Sequence, residues 1–294
     1  MNRFPSFGCA FSLLIFAVAL AGPASDVRAE TLYVNNRMGR DRNNGTQEKS
    51  VNETTGPVRT IQRALKLAGA SDVISIANTG TPYYESITLY GPRHSGIETH
   101  PFTILGNGAV LSGAMSIPET AWQQTGDNLW QLKPYRKGHY QLIRAGTAVP
   151  EIKRNPDEKW NTIPELPAGH WCAFRGAMYY RSESQTGPAS RGFGLARRTC
   201  GITLCCVRNV LVRNLSVQHF RVDGMNAADQ ATDVVLSGVH LIENGRAGLT
   251  VAGTSLVAIV QTSIKGNREH SVILKEAAAL VVREAELDQP PEQQ

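Results

Sequence analysis

Asn209-Val-Leu-Val-Arg-Asn-Leu-Ser-Val217 is followed in the chain by three segments of the same pattern. They are Asp233-Val-Val-Leu-Ser-Gly-Val-His-Leu241, Leu256-Val-Ala-Ile-Val-Gln-Thr-Ser-Ile264 and Ala279-Leu-Val-Val-Arg-Glu-Ala-Glu-Leu287, at offsets of 24, 23 and 23 residues. In each the second, fourth, seventh and ninth places form one set: Val210, Val212, Leu215, Val217; Val234, Leu236, Val239, Leu241; Val257, Ile259, Thr262, Ile264; Leu280, Val282, Ala285, Leu287. Alternation with period two marks a strand with one face in a core, and the inserted pair in the middle marks a bend between two such strands. A third short segment repeats with them: Gly201-Ile-Thr-Leu-Cys205, Met225-Asn-Ala-Ala-Asp229, Leu249-Thr-Val-Ala-Gly253 and Val272-Ile-Leu-Lys-Glu276.

Three short strands per repeat of this length predict an all-β coil, a right-handed parallel β-helix in which each strand pairs with its equivalent one turn away. Gly224 and Gly248 fall at equivalent places before the third strand, where a sharp bend would favour positive φ. Asn244 and Asn267 also align, and asparagines stacked at a bend can bond from coil to coil.

The N-terminal part carries a resemblance. Leu32-Tyr-Val34, Gly39-Arg-Asp41, Asn44-Gly-Thr46, Pro57-Val-Arg-Thr60-Ile61 with Ala64, Asp72-Val-Ile and Tyr84-Glu85 resemble the opening of secreted right-handed parallel β-helix proteins of the pectate-lyase-like superfamily. The resemblance implies a capping helix at Thr60–Ala68, and Ile61, Ala64, Leu65 and Ala68 do fall on one helical face. Strands are expected at 73–77, 86–90, 102–105 and 109–112. Residues 114–199 break the period and are rich in Trp, Tyr, Pro and Gly, which predicts an inserted β-rich module with a hairpin turning at Arg175-Gly176. Such modules resemble those of carbohydrate-active members of the superfamily. The single domain is expected to run over 30–287, with 288–294 a disordered tail.

Residues 1–29 read as an export signal: Arg3, then an apolar run from Cys9 to Ala21, then small-residue cleavage patterns ending at Ala21 or Ala29. The run is too short for a bilayer of ~30 Å. A secreted or periplasmic location is therefore expected, with no membrane span. Removing the leader takes Arg3, Arg28 and Asp26 from a formal net charge of +5 and leaves +4. That mild excess favours anionic sugars or surfaces and is far from the dense basic patch of a nucleic-acid binder. No cofactor or metal is expected, and no ligand set supports calcium. Of the four remaining cysteines, Cys172 and Cys200 are the expected disulfide; Cys205 and Cys206, adjacent in a strand, should point to opposite faces as small packed residues.

Stacking places outward positions side by side. Asp223, Ala247 and His270 share one column, Asn226, Thr250 and Ile273 the next, and Asp229, Gly253 and Glu276 a third. The Asp229 and Glu276 carboxylates would lie ~9.6 Å apart, at the upper edge of inverting-glycosidase geometry. The candidate catalytic residues are Asp223, Asp229, Arg246 and His270. Asn226, Arg221, Trp171 and Tyr180 are the candidate substrate-binding residues, and Arg246 is expected in an exposed ion pair with Glu269. These point to a lyase or hydrolase of an anionic polysaccharide, or alternatively to a carbohydrate-binding or cell-surface module without chemistry.

Overall fold

The computed structural model describes residues 29–155, 157–185, 187–188 and 192–294; the export signal expected at 1–29 lies, but for its last residue, outside the described residues. Two long sheets, parallel throughout, run down the coil-forming regions. The first orders Thr31–Val34, Val73–Ile76, Phe102–Ser112, Arg208–Gln218, Thr232–Ser237, Leu256–Val260 and Ala279–Arg283, with His240–Ile242, Ser263–Lys265 and Glu286–Leu287 continuing beside them. The second orders Ile87–Tyr90, Cys200–Cys205, Asp223–Ala228, Ala247–Val251, His270–Leu274 and Glu292–Gln293. The closing residues, expected as a disordered tail, thus add a two-residue strand beside Ile273 and Leu274.

The register is the one the repeat predicts. Val210 pairs with Val234, Val234 with Val257 and Val257 with Leu280, while Val217, Leu241, Ile264 and Leu287 form a parallel ladder. Most of these side chains are fully buried in one continuous core, which thins towards the last coil, where Leu280 and Leu287 are only partly buried. In the second sheet the core residue opposite Met225 is Ile202, so the first repeat is shifted by one from the alignment that placed Gly201 there. Residues 114–199 leave the coil and return without disturbing it. Phe102–Ser112 pairs directly with Arg208–Gln218, and Ile87–Tyr90 with Cys200–Cys205.

The bends are made by left-handed residues, which have few places in φ/ψ space outside glycine. Asn107, Asn214, Gly238, Gln261 and Glu284 all have φ between 48° and 60° and occupy the inserted pair of successive coils. Cys206, Asp229, Gly253 and Glu276 form a second such column, with φ between 53° and 69°. His219, Glu243 and Gly266 form a third.

Gly224 and Gly248, in contrast, do not take positive φ; they are glycines because their Cβ positions are filled. A Cβ at Gly248 would lie 2.2 Å from Ile264 Cγ2 and 2.8 Å from Asn267 Nδ2. Gly248→Ala is therefore expected to cost about 2–3 kcal/mol through overpacking, read from the urea midpoint, whereas relief of a bend alone would leave it near neutral.

Asn244 and Asn267 form the expected ladder. Asn244 Oδ1 accepts from Phe220 N, its Nδ2 donates to Val217 O and Asn267 Oδ1, and Asn267 Nδ2 donates to Leu241 O. At the other end the helix Ile61–Leu67 covers the core with Ile61, Ala64 and Leu65. Its N-terminus explains the residues that carried the resemblance. Thr60 caps Arg63 N, Asp41 accepts from Arg59 N and Thr60 N, and the Glu85 carboxylate accepts from Ile61 N and Gln62 N.

The inserted segment forms two small antiparallel sheets. One joins Trp122–Gly126, Leu129–Leu132, Ala177–Arg181 and Trp171–Phe174; the other joins Ala114–Ser116, Phe193–Ala196, Leu142–Arg144 and Thr147–Ala148. Arg175 and Gly176 both take positive φ, which is the two-residue hairpin turn that matches strand twist. A separate core of Trp122, Trp171, Met178, Tyr180 and Phe193 holds the two sheets together. Among the described residues no helix is long and apolar enough to cross a membrane.

Candidate functional site

The residues singled out from sequence do not converge on one place. Trp171 and Tyr180 are 1% and 0% exposed, so they build the module's core and present no face to a ligand. Trp171 Nε1 is spent on Val149 O, and the Tyr180 ring stacks edge-on against Phe193. Their aromatic character reflects the need of a small sheet pair for large apolar surface.

Asp223 and Arg246 do meet, though Arg246 was expected to pair with Glu269. The guanidinium holds the carboxylate in bidentate fashion, Nε to Oδ1 at 2.9 Å and Nη2 to Oδ2 at 2.5 Å, and Asp223 is buried. Hydrogen bonding to Asp223 raises the arginine pKa further. Closed this way, the pair is a brace between adjacent coils. Asn226 stands in the next outward row, its Oδ1 without a hydrogen-bond partner among the described residues.

His270 Nδ1 pairs with Glu292 Oε2 at 2.6 Å, at the end of the stack. Asp229 turns at its left-handed corner towards Cys205. Arg221 leans on the module, with Nη1 3.5 and 3.4 Å from the carbonyls of Lys137 and Gly138. Cys172 and Cys200 are both free thiols, one in the module and one at the head of a coil strand, so the expected disulfide is not formed. Burial pushes them up to about 11 and about 12, so neither is a thiolate near neutral pH.

The place where charged groups converge is the seam between module and coils. A cleft of about 620 Å³ is walled by residues 151–154 and 173–176 of the module and by Arg268 and Glu269 of the stack. Its volume is that of a small-molecule site. A larger, shallower trough of about 790 Å³ crosses the first sheet's outer face. There Leu211, Val235, Ala258 and Val281 form the floor, with Glu98, Arg208 and Asp233 among the lining.

Each wall of the cleft is fixed by its own elements. Arg268 follows the ladder residue Asn267, and its amide donates to Asn244 O at 2.9 Å, which sets the direction of its side chain. Its guanidinium grips Glu151 in bidentate fashion, Nη2 to Oε1 at 2.6 Å and Nε to Oε2 at 2.9 Å. Glu151 is held from behind because Ile152 N donates to Trp171 O and Trp171 N donates to Pro150 O. Lys153 Nζ donates to Arg268 O at 3.0 Å.

Glu269 stays partly exposed beside Arg268 Nη1, 3.7 Å away, and His139 Nδ1 lies 3.2 Å from Glu269 Oε1. Phe174 offers a ring, with the Arg175 guanidinium 5.0 Å from its centroid. Lys153, Arg154, Arg175 and Arg268 set four cations against the carboxylates of Glu151 and Glu269. With Glu151 closed by Arg268, the group left able to move a proton is Glu269 with His139.

A second seam holds the module in place. Glu243 Oε2 accepts from His219 Nε2 at 3.0 Å and from Ala148 N at 2.9 Å. The His219 hydrogen bond, with the Ala148 amide, keeps the Glu243 carboxyl below its ordinary 4.5. A lowered folded-state pKa gives stabilisation that is complete above the unfolded value and lost as pH falls through the folded one. Wild type should therefore lose an increment of stability as pH falls below 4.5. Glu243→Gln should lack that increment, so the two acid-unfolding curves converge at low pH. Parallel curves would mean that Glu243 does not couple module to coil.

No family model matches the sequence, and no curated protein is similar to it. Solved structures do align. One titled "Glycoside hydrolase" superposes with a TM-score of 0.60 at 12% identity, over 84% of this chain and 68% of that one. XylC in complex with xylose gives 0.45 at 12%, over 87% and 64%, and the GH136 lacto-N-biosidase from Eubacterium ramulus gives 0.41 at 11%, over 87% and 43%. This chain thus spans less than two thirds of the length of XylC and of the lacto-N-biosidase. The first likeness is one of fold, an all-β architecture with long parallel sheets.

Proposed function

We infer that this chain is an exported right-handed parallel β-helix protein of the pectate-lyase-like kind, and that its cleft takes an anionic polysaccharide. The handedness follows from the strong preference of parallel crossover connections for the right-handed path. The carbohydrate reading is supported by the fold neighbour titled "Glycoside hydrolase" and by the ring of Phe174 at the cleft wall. The observation that carries the reading is the excess of cations there, four against two carboxylates of which one is closed.

The chemistry that fits is β-elimination on a uronic acid unit. Arg268, Lys153 and Arg175 hold the sugar carboxylate and stabilise the charge that develops on it when the adjacent proton leaves. Glu269, oriented by His139, takes that proton. The electron pair forms a carbon–carbon double bond as the glycosidic C–O bond breaks, and the leaving oxygen regains a proton from the same couple. Hydrolysis is the second reading. It requires Glu151 to leave Arg268; contact of Glu151 and Glu269 with one guanidinium keeps their oxygens within about 9 Å, under the upper limit for inverting pairs.

Incubating the purified chain with pectate, alginate and sulfated glycans distinguishes these readings. Elimination yields products with a new ultraviolet absorbance, and hydrolysis yields reducing ends without it. Binding with neither product would leave a carbohydrate-binding module, and absence of both binding and products would overturn the whole reading.

A further inference from the structure

Cys205 and Cys206 were expected on opposite faces of a strand, yet their sulfurs converge. Cys205 is the last residue of its strand, and Cys206 takes φ 53°, the first of a column of left-handed corners. That turn swings its side chain round to the side of its neighbour, and Sγ lies 3.9 Å from Sγ. One coil further on, Asp229 stands at the equivalent corner with φ 61°, and its Oδ2 lies 3.7 Å from Cys205 Sγ. The two sulfurs and a carboxylate oxygen all fall within 4.8 Å of one another.

The two closest of these spacings, 3.9 and 3.7 Å, are near those of ligands around one small tetrahedral ion. With Zn–S near 2.3 Å and Zn–O near 2.0 Å, tetrahedral angles place two sulfurs about 3.8 Å apart and a sulfur and an oxygen about 3.5 Å apart. We propose that Cys205, Cys206 and Asp229 form a binding site for a thiophilic divalent cation such as zinc, with two sulfur ligands, one oxygen ligand and a fourth position open to solvent.

The donor set selects against the alternatives. Two sulfurs exclude calcium and magnesium, which take oxygen, and favour zinc or cadmium. The site is reachable, since Cys206 and Asp229 are exposed and Cys205 half-buried. Its three ligands come from two successive coils, so an ion there would tie those coils together on the outside of the stack, as the Asn244 and Asn267 ladder does within it. It is independent of the cleft, since none of its residues lines that space.

The test uses the full reduced chain and two metals. Zinc is titrated in competition with a chromogenic chelator, and cadmium is followed by the ultraviolet charge-transfer band that appears only on thiolate coordination. One equivalent of each ion is expected to bind. Cys205→Ser and Cys206→Ser should each weaken zinc at least a hundredfold and diminish the cadmium band, and Asp229→Ala should weaken zinc at least tenfold while the band remains. A Cys172→Ala, Cys200→Ala double variant should bind as wild type does. The proposal fails if the reduced wild type takes up neither ion, or if Cys206→Ser or Asp229→Ala binds zinc as tightly as wild type.

Discussion

Asn244→Ala is expected to lower the stability of the folded chain by about 3–4 kcal/mol. The side chain is fully buried and serves three groups at once: it accepts from Phe220 N and donates to Val217 O and Asn267 Oδ1. Alanine removes all three bonds; Asn267 Oδ1 still accepts from the residue 244 amide, while Phe220 N and Val217 O lose this partner in the interior, where each unpaired group costs about 1–3 kcal/mol. Relaxation around a small cavity recovers part of this, which keeps the total below the sum. The effect should spread, because neighbouring coils are stabilised through their shared interface. A urea titration that shows a loss under 1 kcal/mol would mean the ladder is replaceable by water and does not set the coil geometry.

Glu269→Gln is expected to lower turnover on the polysaccharide by about 10²–10⁴-fold with little change in binding. Glutamine keeps the shape and a hydrogen-bond acceptor beside His139 but cannot take a proton. Arg268→Ala should behave differently. It removes the cation at the reacting carboxylate and also leaves Glu151, now without its bidentate partner, as a repulsive charge in the cleft. Affinity and turnover should then fall together. If Glu269→Gln retained full activity, the proton acceptor would lie elsewhere, and the outward row with Asn226 would be the next place to look.

The scaffold was legible in the sequence because a stacked coil writes its contacts at a fixed interval. Once Val210, Val234 and Val257 were aligned, their pairing followed. What misled was local parity. Gly224 and Gly248 were assigned to a bend by residue type and position, whereas the Ile264 methyl that excludes a side chain at Gly248 comes from a strand of the next coil. The alternation rule put Cys205 and Cys206 on opposite faces, but it holds only within a strand, and Cys206 sits one residue beyond the end of one.

The cleft was hidden for another reason. Glu151 and Arg268 are 117 residues apart, and no periodicity links a module loop to a coil corner. Glu269 drew attention only as an expected partner of Arg246. The aromatic residues Trp171 and Tyr180 looked like sugar platforms because composition cannot tell a small sheet's core from its surface, while Phe174, a few positions along, is the ring at the cleft.

On this reading the seam between module and coils holds the glycan. Hydrogen exchange of the full chain with and without a uronic acid oligosaccharide tests it directly. Protection is predicted at 151–154, 173–176 and 268–269, with the outward row of Thr203, Asn226 and Thr250 unchanged. Protection confined to that row, with the seam exchanging as in the free protein, would contradict the account.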